Sequence, residues 1–159
     1  MKTLIYLLLL VSFPLLIIAQ PETYNWYFGN QYGLNFSSGI PEEITDSAIR
    51  TFEGCAAVSD AEGNILFYTN GGGRDPATGQ APGTIWNRNN EVMYDMSFTE
   101  GGGWSSAQSS LIIPKPGQDS VYYLFTMEEA ESNMGDGIPD QPLGRGLSYF
   151  EVDMRLNGA

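Results

Sequence analysis

The sequence predicts an all-β fold built from antiparallel four-stranded blade-like sheets, about two blades of a β-propeller. Three observations carry this. The same plan of apolar run, polar turn and apolar run occurs twice, at Ala57–Thr69 and at Ile112–Thr126, and each copy reads as a β-hairpin. Nothing after the first nineteen residues keeps a helical period of apolar residues. Nineteen glycines and a rich set of aromatics separate short apolar runs with Gly, Asn, Asp and Pro clusters. A single repeat of this kind cannot bury its apolar face alone, whereas stacked repeats can. A two-sheet β-sandwich is the competing architecture.

Residues 1 to 19 form a secretory signal peptide. Lys2 supplies the basic start, Leu4 to Ile18 is apolar except for Ser12 and Pro14, and Ala19 is the small residue a signal peptidase requires. The run is short for a membrane span of about 30 Å, and Pro14 interrupts it. Cleavage is expected after Ala19 or Gln20, leaving the β-repeat domain at 20–159, with no membrane insertion after cleavage.

The elements then follow in order. Asn25–Phe28 and Gly33–Phe36 flank Gly29–Tyr32 as a first hairpin, and Ser37–Asp46 is a loop around Pro41. Arg50–Glu53 is a short strand. Cys55–Thr69 is the first repeated hairpin, turning at Asp60–Asn64. Asn70–Gly83 is a loop, Thr84–Trp86 and Glu91–Tyr94 a further hairpin, and Ser97–Ser109 a second loop. Leu111–Thr126 is the second repeated hairpin, Glu128–Arg145 a long acidic loop, and Leu147–Met154 the last strand. The plan is four strands, a loop and three strands, that is, one four-stranded sheet and most of a second.

Composition bounds the chemistry. Seven Lys and Arg stand against 19 Asp and Glu, a net charge of −12. Without the signal, whose one charge is Lys2, the net is −13. Such a surface repels phosphate backbones and anionic lipid, so no nucleic-acid partner is expected. The absence of histidine removes Ser-His-Asp triads, Cys-His pairs and histidine metal sites. Cys55 is the only cysteine, so no disulfide forms within the chain, and its apolar neighbours mark it as a core thiol. The sequon Asn35-Phe36-Ser37 is read as incidental. Gly71–Gly73 and Gly101–Gly103 lack the Lys-Ser/Thr of a phosphate loop and read as flexible turns.

Candidate sites are few. The acidic loop offers carboxylates, but no pair whose separation is defined as a glycosidase needs. Oxygen donors around glycines at Asn133–Asp140 make calcium the one candidate cofactor, held by Asp136 and Asp140 with Glu131 next, although the regular spacing of a calcium loop is missing. Trp104, among Gly and Ser, is the candidate ligand-binding aromatic. Trp26, Trp86, Tyr27, Tyr68, Tyr122 and Tyr123 read as core positions before they read as a sugar platform.

Several motifs resemble a known family in order. They are Asn25–Asn30 with Gly33–Phe36, Thr51–Ala56, Gly63–Gly71, Thr84–Asn87 with Val92-Met93, Ile113–Gly117 and Leu147–Met154. Over residues 24 to 158 the chain is similar to the N-terminal β-propeller-like region of Bacteroidota cell-surface proteins. Those proteins continue into Ig-like modules and a gliding-motility-associated C-terminal domain read by type IX secretion. The resemblance implies a secreted or cell-surface module for adhesion or scaffolding, non-enzymatic, with protein or glycan partners. Ig-like modules and a sorting domain are missing from this sequence, so the expectation is either the N-terminal fragment of a larger propeller protein or a truncated gene. The alternative function is a carbohydrate-binding or carbohydrate-active protein using the acidic loops and Trp104.

Overall fold

The computed structural model describes residues 20–73, 79–129 and 145–157. Residues 1–19, expected as a signal peptide, lie outside them. The described residues form an all-β fold with three antiparallel sheets. A 3₁₀ turn at Pro21–Thr23 leads into β1 (Asn25–Phe28), β2 (Tyr32–Asn35) and β3 (Glu42–Ile44), the first sheet. The middle sheet is β4 (Ala56–Ser59), β5 (Ile65–Thr69), β6 (Gly83–Asn87) and β7 (Val92–Ser97), paired in chain order. The third sheet is β8 (Ser110–Pro114), β9 (Val121–Met127) and β10 (Leu147–Asp153), followed by the short helix α1 (Met154–Asn157).

Both repeated hairpins form, as β4–β5 and β8–β9, and each opens a meander. The expected groups of four and three strands are the middle and third sheets, and β1–β3 add a further sheet among the described residues. The loop after Thr69 interrupts the middle sheet without ending it. Asn70 is the reason. It is fully buried. Its Nδ2 donates to the carbonyls of Pro82 at 2.9 Å and Arg50 at 3.1 Å, and its Oδ1 accepts from Thr84 N at 2.9 Å. One amide thus fastens both ends of the loop, and β5 pairs with β6 across it, Tyr68 opposite Trp86.

Two local assignments change as well. Glu42–Ile44, expected in a loop, is an edge strand paired with Gly33–Asn35. Its two glutamates hid it, and charges are common on exposed edges. Arg50–Glu53 is not a strand. Arg50 makes only an isolated bridge with Asn30, while Thr51 N donates to Gly29 O and Glu53 N to Trp104 O, so these amides are spent on loops.

The turns follow the side chains that make them. Asp60 accepts from Glu62 N and Asn64 N at 3.1 and 2.8 Å, holding the β4–β5 turn. Asn87 accepts from Asn89 N and Glu91 N at 2.9 and 3.0 Å, holding the β6–β7 turn.

The middle sheet is covered on both faces. Its period of two sends Phe67 and Ile85 towards the third sheet, where they pack with Met96, Leu124 and Val152. Tyr68 and Trp86 point the other way and pack with Tyr27 and Ile49. The rings of Tyr68 and Trp86 stack at 5.3 Å. Cys55 is half-buried against this second cluster, and burial pushes its thiol pKa up, away from the reactive thiolate.

Candidate functional site

The loops after β5, β7 and β9 interlock. Gly102 N and Gly103 N donate to Gly71 O at 3.1 and 3.2 Å. The chains are so close that a Cβ on Gly72 (φ +112°) would lie 2.3 Å from Gly102 N. The two glycine triplets are therefore buried, close-packed backbone, in contrast to the flexible turns expected. Glycine is needed here for approach as well as for positive φ.

Glu129 and Arg145 hold the loops around this junction. Glu129 is buried, 3% exposed. Its carboxylate accepts from Gln80 Nε2 and from Ser105 N, both at 2.9 Å, and its own N–H donates to Gly102 O at 3.0 Å. Arg145 donates to the carbonyls of Gly73, Glu100 and Gly101 at 3.3, 3.2 and 3.2 Å, and also to that of Phe98. A guanidinium offers five donors and a loop offers outward carbonyls, so Arg145 clamps loop to loop. Sequence reasoning missed Asn70 and Arg145, and met Glu129 only as one of the carboxylates of the acidic loop. Glu129 and Arg145 border the acidic loop, whose composition reads as solvated.

Trp104 lies in the loop between β7 and β8 and is half-buried. Its carbonyl accepts from Glu53 N and Gly54 N at 3.0 and 3.4 Å. Asp136, Asp140 and Glu131 lie outside the described residues. Among the described residues, no group of three or more Cys, Asp or Glu could hold a metal, and no helix is long and apolar enough to cross a membrane. Asn35 of the sequon turns inward, its Nδ2 donating to Asn25 Oδ1 at 2.7 Å.

The remaining aromatics divide between core and surface. Tyr27, Tyr68 and Trp86 are core, and Tyr122 packs on the Phe67 cluster, ring centroids 5.6 Å apart. Trp26 and Tyr123 instead belong to the two outer faces of the stack. On the third sheet, cross-strand register aligns Leu111, Phe125 and Tyr149 in one row and Ile113 and Tyr123 in the next. Tyr123, Phe125 and Tyr149 touch one another, with centroids 6.0 to 6.3 Å apart. Tyr149 is 64% exposed and Leu111 58%. Lys115 Nζ stands 5.3 Å from the Tyr123 ring centroid and 2.8 Å from Glu151. On the first sheet, Trp26 packs on Phe36 at 5.1 Å, and Phe28 and Tyr32 are exposed beside it. Contiguous exposed apolar faces are candidate interaction surfaces.

No protein-family model, curated protein or solved structure matches the chain significantly.

Proposed function

We propose that this chain is a non-enzymatic, exported β-repeat module that works at the cell surface by protein contact, in adhesion or scaffolding, as part of a larger type IX secretion substrate. The observation that carries the reading is the apolar face on which exposed Leu111, Ile113 and Tyr149 surround half-buried Tyr123 and Phe125, on a sheet whose other face packs into the core. A rigid stack holds such a face in one shape, which lowers the ordering cost of binding. The signal-like start of the sequence supports export, and the net charge of −12 disfavours nucleic-acid partners.

Adhesion of beads coated with the full chain to bacterial cells tests this. A Leu111→Ser/Tyr149→Ser variant should lose most adhesion while Trp104→Ala keeps it. Adhesion that persists in the double variant, or that free glycans abolish together with Trp104→Ala, would favour the carbohydrate reading. Calcium at Asp136, Asp140 and Glu131 belongs to the proposal too, and loss of adhesion on chelation would support it.

A further inference from the structure

The end of β7 runs into a closed turn. Thr99 N and Glu100 N both donate to Met96 O, at 3.3 and 3.1 Å. Such a turn offers no amide of its own to its later carbonyls, as the last turn of a helix does not. Gly101 (φ +67°) and Gly102 (φ +144°) then reverse the chain, in conformations that glycine adopts most readily. The carbonyls of Phe98, Glu100 and Gly101 come to face one point. Gly73, in the loop after β5, brings a fourth carbonyl to it.

Arg145 fills that point. Its Nη1 donates to Glu100 O and Gly101 O at 3.2 Å each and to Gly73 O at 3.3 Å, and its Nη2 donates to Phe98 O. Nη1 has fewer hydrogens than it has carbonyls to meet, so one hydrogen is shared between two of them. A planar guanidinium reaches carbonyls of two loops in this way, and a compact ammonium does not. The bonds that shape the cup are made without Arg145. Gly102 N and Gly103 N donate to Gly71 O at 3.1 and 3.2 Å, and Glu129 N donates to Gly102 O at 3.0 Å. Gly73 is backed so closely that a Cβ on it would lie 2.1 Å from Ala81 O. Arg145 itself is half-buried, so solvent reaches the cup.

We propose that these carbonyls form a preformed receptor for a guanidinium group, with Arg145 as its tethered ligand. The bound guanidinium ties the start of β10 to the loops after β5 and β7, and so ties the third sheet to the middle one. Gly146 completes the tie: its N–H donates to Glu128 Oε2 at 2.9 Å, and Glu128 N donates to Gly146 O at 3.0 Å. Tethering gives Arg145 an effective concentration on the order of millimolar or above. A guanidinium ion from solution therefore competes poorly in the parent and enters once the side chain is cut back. The inference stands apart from the outer-face reading, since the receptor is built from loop backbone.

The test is Arg145→Ala in the full chain, melted with and without about 50 mM ethylguanidinium, a concentration well below the denaturing range of guanidinium salts. The variant should melt about 4–8 °C below the parent. Ethylguanidinium should recover about half of that loss or more, ethylammonium none of it, and the parent should respond to neither. Arg145→Lys should melt close to Arg145→Ala. By amide hydrogen exchange, Gly102 and Gly103 should stay protected in Arg145→Ala, because Gly71 holds them, while Gly146 exchanges about tenfold faster. If Arg145→Ala does not fold, its refolding yield with ethylguanidinium against ethylammonium makes the same comparison. Four results would overturn the proposal: a variant as stable as the parent, no rescue by ethylguanidinium, equal rescue by ethylammonium, or lost protection at Gly102 and Gly103.

Discussion

Tyr27 of β1 and Tyr68 of β5 stack almost parallel, with ring centroids 4.4 Å apart and planes within 5°. This contact joins the first sheet to the middle one. Tyr68 adds a polar link: Ala48 N donates to its Oη at 2.9 Å, and the Oη donates to Asn90 Oδ1 at 2.7 Å. Tyr68→Phe keeps the stack and breaks both bonds, so it should cost about 1–3 kcal/mol. Tyr68→Ala loses the ring as well and should cost about 3–5 kcal/mol. Denaturant melts of the two variants give the comparison, and a Tyr68→Phe variant as stable as the parent would refute the role of the hydroxyl.

Burial pushes the Tyr68 phenol up to about 12, with Tyr27 and Asp46 adding to the rise and the Ala48 hydrogen bond opposing it. The folded state therefore keeps this proton at pH values where the unfolded chain has lost it. Its stabilising contribution is complete below about pH 10 and disappears as pH climbs from there towards 12, a loss on the order of 2 kcal/mol. Melting temperatures across that window should fall less steeply in Tyr68→Phe than in the parent.

Asn70 is the closure of the middle sheet. Asn70→Asp keeps its size but replaces a donor facing Pro82 O and Arg50 O with an acceptor. A buried charge against two carbonyls should cost at least about 3 kcal/mol. Asn70→Ala should cost less than Asn70→Asp, and the reverse order in urea unfolding would contradict this account of the loop.

How far the sequence speaks is visible in these residues. The β4–β5 and β8–β9 hairpins were legible because alternation and turn chemistry are local, as with Asp60 holding its own turn. The all-β class followed from the same signals. The separate first sheet was not legible, because its third strand, Glu42–Ile44, carries two glutamates, nor was the closure by Asn70, which reaches residues twelve and twenty positions away. The sequence shows neither which side of a strand lacks a partner nor which glycines meet backbone. For that reason Gly72 and Gly102 read as loose turns and Tyr123 as core.

Two glycines separate conformational strain from crowding. Gly72 and Gly117 both have positive φ, but a Cβ on Gly72 would meet backbone at 2.3 Å and one on Gly117 nothing within 4 Å. Gly117→Ala should cost about 1–2 kcal/mol from backbone strain alone. Gly72→Ala must displace the Gly101–Gly103 segment and should cost at least about 2 kcal/mol more, or abolish folding. Equal melting temperatures would mean that the triplets are not packed as described.

Sedimentation velocity of the full chain over a range of concentrations tests whether the outer face of the third sheet is a contact surface. Concentration-dependent association is expected in the parent. A monomer with unchanged melting temperature is expected in Leu111→Ser/Tyr149→Ser, because both residues are exposed in the isolated fold. A parent chain that sediments as a single monomeric species at every concentration, with a sharp cooperative melt, would contradict this reading.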